Sequence, residues 1–381
     1  MNYKMVGFVL GRIFLIEAAL MLFPMGCAAI YGEWASIPAF LIPVVILLVL
    51  GLAASLKSPK DTKIYARDGL AIVALVWVLL SVFGALPFII TGEIPSFVDA
   101  FFEMVSGFTT TGSTILTDVE SLSHGILFWR SFSHWIGGMG VLVFAMAVLP
   151  MTDGRAMHLM RAEVPGPTCG KISSKLSDSA KILYAIYLAM TVIETVMLCA
   201  GGMPLFDALI HAFGTAGTGG FSIRNAGMSV YSAYSQTVIT VFMILFSINF
   251  TLYYLLLIGK FRQALRSEEM WVFLGILAAV SLAVSVNILP LFSGFGEAFR
   301  HAIFTAASVM STSGFAISDF NLWPWLSKTL LVVLMFVGAC AGSTGGGIKI
   351  VRIVIGAKLA RRGVQRAIHP QQVKCVHIDG E

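Results

Sequence analysis

The sequence predicts an all-α polytopic membrane protein assembled from similar units in tandem. Of its 381 residues, 57% are hydrophobic and only 12% are charged, and that charged share is about half of what a soluble domain carries. Apolar runs long enough to cross a bilayer recur from end to end, so no separate domain larger than a loop fits between them. A short polar motif that ends in glycine also recurs three times between those runs. Together these features predict a membrane-embedded chain with an internal repeat.

The apolar runs predict a series of spans and three shorter helices. The shorter runs cannot cross the hydrocarbon core and end in polar, glycine-containing loops, so we expect them to be re-entrant helices. The predicted spans are 6–31, 36–56, 70–92, 123–150, 178–201, 231–259, 270–292 and an interrupted one over 323–360. The predicted re-entrant helices are 97–107, 205–216 and 298–309.

Basic residues predict the orientation of the chain. They cluster after the second, fourth, sixth and last spans, and by the positive-inside rule those loops are cytoplasmic. The re-entrant segments then open from the outer face, where Glu93, Asp118, Glu120 and Asp319 favour the approach of cations. The net charge of +5 therefore faces the cytoplasm and anionic membrane lipid, and nucleic-acid binding is not implied. The clustered cations are Lys57, Lys60, Lys63, Arg67, Arg155, Arg161, Lys171, Lys175, Lys181, Lys260, Arg262, Arg266, Lys358, Arg361, Arg362 and Arg366.

The strongest signal is the threefold repeat at the re-entrant segments. The repeats are "DAFFEMVSGFTTTG" (99–112), "DALIHAFGTAGTGG" (207–220) and "HAIFTAASVMSTSG" (301–314). All three share their length, an alanine in second place, a threonine two residues before the end and a final glycine. Each lies between two spans, so the unit is span, re-entrant pore helix, filter loop and span. The pattern predicts tandem channel-like units around a pseudo-symmetric pore.

The residue types of the repeat suit a path for cations. Irregular backbone at membrane depth is tolerated only where protein buries it or where it lines a water-filled path. Carbonyl oxygens of several such loops can replace the hydration shell of a cation. Glycine permits the positive φ that aims neighbouring carbonyls the same way, and threonine hydroxyls can add oxygens. The polar runs hold no carboxylate, which favours a monovalent over a divalent ion. One such motif alone would more readily indicate helix packing, but its threefold recurrence favours a pore.

Longer motifs carry a family resemblance. They are "GFTTTGST" (107–114), "RSFSHWIGGMGVLVF" (130–144), "GGFSIRN" (219–225), "STSGFAISDF" (311–320) and "GACAGSTGGGIKIVR" (338–352). On these motifs the whole chain resembles the TrkH/TrkG/KtrB superfamily of potassium uptake proteins, whose units resemble single potassium-channel subunits fused in tandem. It is most similar to the TrkH branch, which adds an N-terminal pair of helices, as residues 6–56 do here.

The resemblance implies which residues form the ion filter. None of the three loops has the TVGYG form of strict potassium channels, so we expect modest selectivity between K⁺, Rb⁺ and Na⁺. The implied filter residues, with K⁺ as the bound ion, are Thr110, Thr111, Gly112 and Ser113 in the first loop, Thr218, Gly219, Gly220 and Phe221 in the second, and Thr312, Ser313, Gly314 and Phe315 in the third.

A glycine-rich run interrupts the last predicted span. Each glycine costs about 1 kcal/mol in a helix interior, so "GACAGSTGGG" (338–347) should break the helix. It is not a Walker loop, because Ile348 separates Gly347 from Lys349 and no Ser or Thr follows. The resemblance implies an intramembrane loop that obstructs the pore below the filter, and the alternative is a kink that lets helices pack closely. The implied gate residues are Gly342, Ser343, Thr344, Gly345, Gly346 and Gly347.

Two ionisable residues leave alternatives open. Arg130 could brace a filter loop, since ionisable groups in membrane spans are functional candidates, or it could anchor the span at the interface together with Trp129. Lys349 could mark the inner boundary of the membrane or tune the gate.

The repeat also predicts the domain organisation. The filter glycines at 112, 220 and 314 are 108 and 94 residues apart, so a fourth would lie beyond Glu381 and the fourth unit is expected to be incomplete. The predicted parts are 1–66, the N-terminal helix pair with its cytoplasmic loop; 67–177, the first channel-like unit; 178–268, the second; 269–347, the third with the glycine-rich loop; and 348–381, the start of a fourth.

The resemblance implies uptake of K⁺ across the cytoplasmic (inner) membrane, through the filter and past the glycine-rich gate, by a protein that is not an enzyme. The five cysteines have no ligand spacing, and we expect no cofactor. The alternative is a non-conducting or fragmentary subunit of a cation uptake system, because the fourth filter loop is missing. The resemblance also implies a homodimer and a cytosolic nucleotide-binding regulatory subunit, for which 155–176 and 358–374 are candidate contacts.

Overall fold

The structure is a computed structural model. It describes residues 1–56, 59, 65–140 and 176–368, and these residues form helices and loops without a strand. They divide into two compact parts, an N-terminal part (Met1–Val230) and a C-terminal part (Tyr231–Glu381). Within the described ranges, five helices are long and apolar enough to cross a membrane, or six if one bent pair is a single span. The predicted all-α, polytopic class is confirmed.

The N-terminal part contains most of the predicted spans and the first two pore helices. Its α-helices are α1 (Tyr3–Leu20), α2 (Leu22–Ile30), α3 (Ile37–Ser55), α4 (Ala66–Thr91), α5 (Phe97–Phe108), α6 (His124–Gly138), α7 (Leu176–Ala200) and α8 (Leu205–Ala216), with short 3-10 turns at Trp34–Ser36 and Gly227–Val230. α1 packs along α3, α4 packs along α5, and α6 contacts α2, α5 and α8. The predicted span 123–150 is helical as far as Gly138, and 141–150 lies outside the described residues.

α5 and α8 are the re-entrant helices that the repeat predicts. Each has 12 residues, which extend about 18 Å at 1.5 Å per residue and cannot cross a core of about 30 Å. The Ser96 side chain caps α5 by accepting a hydrogen bond from the Asp99 N–H. At the other end of α5, the buried ring of Phe108 meets Trp129 of α6 edge to face, with centroids 5.9 Å apart. This contact holds the end of the pore helix against the core.

The C-terminal part contains the third pore helix and the glycine-rich run. Its α-helices are α9 (Ala233–Phe246), α10 (Phe250–Leu257), α11 (Phe261–Ala264), α12 (Glu268–Ile288), α13 (Phe295–Ser311), α14 (Trp325–Val337) and α15 (Ile350–Ile368), with 3-10 turns at Leu289–Leu291 and Phe320–Leu322. The pore helix α13 packs against α9, α12 and α14, and α12 also contacts α15. The last predicted span is interrupted, as expected, between α14 and α15.

The prediction of a continuous span over 231–259 is wrong. α9 and α10 meet at an angle of 91°. The break replaces helical hydrogen bonds by bonds to the glycine-rich run: the Ser247 carbonyl accepts from the Cys340 N–H at 3.0 Å, and the Phe250 N–H donates to the Gly342 carbonyl at 3.0 Å. Backbone groups released by a bend in a membrane helix must find other partners. The partners come from a segment that is distant in sequence, so the apolar pattern of 231–259 carried no sign of the break.

Candidate functional site

The three pore helices end in the same backbone turn. A threonine adopts a positive φ, and the glycine two residues later does so too. The threonines are Thr110 (φ 56°), Thr218 (φ 55°) and Thr312 (φ 62°), and the glycines are Gly112 (φ 75°), Gly220 (φ 74°) and Gly314 (φ 77°). A positive φ costs about 1–2 kcal/mol for a residue other than glycine, and it is a genuine outlier for a β-branched one. Among the described residues, only these threonines and Lys349 combine a positive φ with a side chain.

Hydrogen bonds tie each turn to the end of its own helix. In loop 1 (109–115), the Thr110 N–H donates to the Gly107 carbonyl at 3.1 Å and the Thr111 N–H donates to the Ser106 carbonyl at 2.9 Å. Loop 2 (217–223) and loop 3 (312–317) repeat both bonds: Thr218 to Thr215 at 3.1 Å, Gly219 to Gly214 at 3.0 Å, Thr312 to Val309 at 3.2 Å and Ser313 to Ser308 at 3.0 Å. The loop amides therefore satisfy the last helical carbonyls, as in other left-handed helix ends.

A serine one turn before the end of the pore helix holds the last candidate filter residue in two of the loops. The Ser106 hydroxyl donates to the Ser113 carbonyl at 2.6 Å, and the Ser308 hydroxyl donates to the Phe315 carbonyl at 2.6 Å. Gly214 occupies the same position before loop 2 and has no side chain to do so. The repeat therefore extends from backbone conformation to side-chain bonding, although not to every unit.

Loops 1 and 2 meet within the N-terminal part, where glycines allow close approach. A Cβ atom on Gly112 would overlap the Gly219 carbonyl oxygen, and one on Gly219 would overlap the ring of His134. That ring stacks on Phe221 with centroids 4.0 Å apart. In α6, a Cβ on Gly137 would overlap the Phe108 carbonyl oxygen. His134 and Gly137 lie in the motif at 130–144, but these contacts could not be predicted from the sequence.

A buried ion pair joins the same two loops. Arg130 of α6 is 2% exposed and Glu103 of α5 is fully buried, with 2.6 Å between Arg130 Nε and Glu103 Oε1. The Arg130 Nη1 group donates to the Ser222 carbonyl at 3.2 Å, and the guanidinium lies 3.5 Å from the centroid of the Phe221 ring. Of the two alternatives for Arg130, the structure supports the loop brace over the interfacial anchor. Glu103 went unnoticed in the sequence, where the available signal was a carboxylate in the middle of an apolar pore helix, beyond the Asp99 of its first turn.

The glycine-rich loop (338–349) is a loop and not a kink. Two of its candidate gate residues bond to backbone released at the α9–α10 break: the Thr344 hydroxyl donates to the Phe246 carbonyl at 3.1 Å, and the Gly342 carbonyl accepts from the Phe250 N–H. The Ser343 hydroxyl turns back to the Cys340 carbonyl at 2.6 Å. These bonds link the two interruptions in the C-terminal part.

Lys349 closes the glycine-rich loop from inside. Its side chain is 5% exposed, and its Nζ donates to the Gly345 carbonyl at 2.6 Å and to the Cys340 carbonyl at 3.2 Å. Glu269 Oε1 accepts from the Ala341 N–H at 2.7 Å and from the Val351 N–H at 3.0 Å. Two charged side chains therefore hold the loop at both of its ends.

The glycine-rich loop also contacts loop 3. The Gly346 N–H donates to the Thr312 hydroxyl at 2.8 Å, and this hydroxyl donates to the Ser311 carbonyl at 2.6 Å. Gly338 and Gly347 both have positive φ, and a Cβ on either would overlap the backbone of the other. The candidate filter residue Thr312 and the candidate gate residue Gly346 are thus direct neighbours.

The described residues cover only part of the basic surface that the sequence predicts. Of the candidate contacts for a regulatory subunit, 155–175 and 369–374 lie outside the described residues. α15 is among the described residues and begins directly after Lys349. It buries Val351 and Val354 and exposes Arg361.

Comparisons with known proteins identify the family. The model of the family "TrkH: Cation transport protein" matches residues 36–286 and 277–381. The Trk system potassium uptake protein TrkH of Halomonas elongata is 35% identical over 391 residues, which cover 99% of this chain and 80% of that protein. The Trk system potassium uptake protein TrkG of Escherichia coli K12 is 34% identical, over 100% of this chain and 79% of its own. The crystal structure of the potassium transporter TrkH from Vibrio parahaemolyticus matches with a TM-score of 0.88 and 32% identity, over 100% of this chain and 80% of that one.

These matches confirm the predicted resemblance. They also confirm a multi-pass protein of the inner membrane that serves transport and is not an enzyme. By sequence and by structure, the chain belongs to the TrkH family of cation transport proteins.

Proposed function

We propose that this chain takes up K⁺ across the inner membrane through loops 1, 2 and 3. The relatives are named potassium uptake proteins, and the chain belongs to their family. The observation that carries the proposal is the strained turn with positive φ at a threonine and a glycine, which occurs at all three pore-helix ends. Strain that recurs at equivalent positions is maintained for a purpose, and functional sites are where such strain is concentrated.

The ion passes by exchanging water for carbonyl oxygens. Two amides of each turn donate back to their own helix, so carbonyl oxygens are the groups that the turn can offer to an ion. The proposed ligands are the carbonyls of Thr110, Thr111, Gly112, Ser113, Thr218, Gly219, Gly220, Phe221, Thr312, Ser313, Gly314 and Phe315. Neutral oxygens suit a monovalent cation, whereas a divalent one usually recruits carboxylates. Selectivity among K⁺, Rb⁺ and Na⁺ then depends on how rigidly the loops are held.

The glycine-rich loop acts as the gate in this proposal, through Gly342, Ser343, Thr344, Gly345, Gly346 and Gly347. Its hydrogen bonds to Lys349 and Thr312 favour the position that the loop adopts here, which the proposal assigns to the closed gate. Each is worth about 1 kcal/mol net, or somewhat more where the ammonium donates. A regulator therefore needs a differential affinity of only a few kcal/mol to shift the loop.

The proposed regulator is a cytosolic nucleotide-binding subunit that binds the basic inner face of a homodimer. The relatives are named as parts of a Trk system, which supports the existence of a partner. α15 follows the gate directly in sequence and exposes Arg361. A subunit that contacts α15 could therefore move the glycine-rich loop without touching it.

Rescue of bacteria that lack K⁺ uptake tests the proposal. Cells that express the chain should grow at low K⁺ and accumulate Rb⁺, and the purified chain in proteoliposomes should carry an Rb⁺ flux that excess K⁺ suppresses. Membrane-inserted protein at normal abundance without flux would contradict the proposal and support the non-conducting alternative. The names of the relatives do not favour that alternative.

A further inference from the structure

We propose that the Glu103–Arg130 ion pair sets the ion preference of the filter by holding loops 1 and 2 in one geometry. The inference deepens the proposed function and rests on it. It assigns positioning roles to two residues that contribute no carbonyl to the proposed filter.

On one side the pair holds the segment that follows the filter residues of loop 1. Glu103 Oε1 accepts from the Thr114 hydroxyl at 2.9 Å, and Glu103 Oε2 accepts from the Ile115 N–H at 3.2 Å. Both bonds reach from the pore helix across to the chain that leaves the loop. They fix the position of Ser113, which lies between the turn and these two residues.

On the other side the pair holds loop 2. The Arg130 guanidinium donates to the Ser222 carbonyl and lies over the face of the Phe221 ring, to which it is attracted by a cation–π interaction. Phe221 is itself a candidate filter residue. A continuous chain of contacts therefore runs from Thr114 through Glu103 and Arg130 to Phe221.

The repeat shows that the position of Glu103 serves as a brace. The equivalent residue of the second pore helix is His211, and its Nε2 lies 3.2 Å from the hydroxyl of Ser222, the residue equivalent to Thr114. The third repeat has Thr305 and Ala316 at these two positions. The Ala316 methyl group cannot form a hydrogen bond, so loop 3 lacks this side-chain brace and bonds instead to the glycine-rich loop through Thr312.

The energetics favour a role in geometry over one in stability. A buried ion pair often contributes no more to stability than well-packed apolar residues of the same volume. Its directional contacts, however, can select one arrangement of the groups that they join. Since ion preference depends on small changes in the distances between carbonyl oxygens, a brace on two loops at once affects preference before it affects folding.

The test measures Rb⁺ and Na⁺ uptake by the 381-residue chain in cells, normalised to its abundance in the membrane. The variants are Glu103→Gln, Arg130→Gln and the double substitution, which restores neutrality without restoring the brace. The matched control is Thr191→Val. This change removes another hydrogen bond of α6, from Trp135 Nε1 to the Thr191 hydroxyl of α7 at 3.1 Å, which involves no filter-loop residue.

We expect each brace variant to lower the Rb⁺/Na⁺ uptake ratio about tenfold, which corresponds to about 1.4 kcal/mol. The double variant should have an equally low Rb⁺/Na⁺ uptake ratio, and the control should keep the ratio of the unmodified chain. A normal ratio in the brace variants would overturn the inference. A normal ratio in the double variant alone would also overturn it, because charge and not geometry would then be the cause.

Thr114→Val keeps the proposal falsifiable if the charge variants fail to fold. Thr114 is exposed, and valine preserves its branched shape while removing the hydroxyl bond to Glu103 and the bond that this hydroxyl accepts from the Leu116 N–H at 3.0 Å. The uptake ratio should fall about threefold, the size of effect that one hydrogen bond supports, and an unchanged ratio would overturn the inference. If the unmodified chain carried no Rb⁺, the proposed function would fail and the inference with it. If the variants transported ions with an unchanged Rb⁺/Na⁺ ratio, the inference would fail but the proposed function would stand.

Discussion

Replacing Gly112 by alanine should abolish most ion uptake, whereas the same replacement at Gly92 should not. Both glycines have positive φ, 75° at Gly112 and 78° at Gly92. They differ in their surroundings, because a Cβ on Gly112 would overlap the Gly219 carbonyl oxygen and a Cβ on Gly92 would meet no atom within 4 Å. Gly92 ends α4 outside the candidate filter. The pair therefore separates the cost of the backbone conformation from the cost of crowding the filter.

The magnitudes follow from these two terms. The left-handed conformation costs alanine about 1–2 kcal/mol at either position. At Gly112 the overlap with Gly219 adds about 1–3 kcal/mol, the usual range for overpacking, and it acts directly on a proposed ligand oxygen. The combined cost of about 2–5 kcal/mol predicts a fall in uptake of at least about 30-fold. Gly314→Ala carries only the conformational cost, since φ is 77° and the space is open, so uptake should persist with an altered Rb⁺/Na⁺ ratio.

The assay is the initial rate of Rb⁺ uptake in cells that lack other K⁺ uptake, divided by the amount of protein in the membrane. Gly92→Ala should lower abundance slightly and leave the uptake per molecule unchanged. Equal uptake per molecule in Gly92→Ala and Gly112→Ala would refute the assignment of Gly112 to the filter. If the Gly112→Ala protein were lost from the membrane, the Rb⁺/Na⁺ uptake ratio of Gly314→Ala would be the deciding measurement.

Three further predictions concern the gate and the acid stability of the chain. Thr312→Val removes the acceptor for the Gly346 N–H, so resting Rb⁺ leak should rise about fivefold for the loss of about 1 kcal/mol, while Thr312→Ser should behave normally; equal leak in both would contradict the contact. Lys349→Met should raise the leak more, at least about tenfold, and a lower leak would contradict the role of Lys349 in holding the glycine-rich loop. Burial raises the pKa of the Glu33 carboxyl, but hydrogen bonds from the N–H groups of Gly125 and His124 and from the His124 side chain outweigh burial and leave the pKa below its usual value. Its contribution to stability is therefore present above the unfolded pKa and is lost as pH falls through the folded one. The difference in Tm between the unmodified chain and Glu33→Gln should stay constant from about pH 7 to about pH 5 and shrink as the pH falls below about 4; a difference that stays constant at the lower pH would refute this.

Much of the fold followed from local pattern. The apolar runs predicted α3, α4, α7 and α12 closely, and the repeat placed pore helices at 97–107 and 205–216, where the structure has α5 and α8. Apolar length and glycine content act over neighbouring residues, so they can be read from one segment at a time. The continuous span over 231–259 failed because its break depends on hydrogen bonds from residues about a hundred positions away.

The sequence by itself determined the class of protein, the threefold repeat and the positions of the candidate filter and gate residues. Only the tertiary structure showed that threonines adopt a positive φ at all three pore-helix ends, against their own conformational preference. It also decided the partners of Arg130 and Lys349, which the sequence left between two roles each. The physical reason is the same in each case. Local preference is a matter of about 1–2 kcal/mol per residue, and the packing and hydrogen bonds that outweigh it form only in the folded chain.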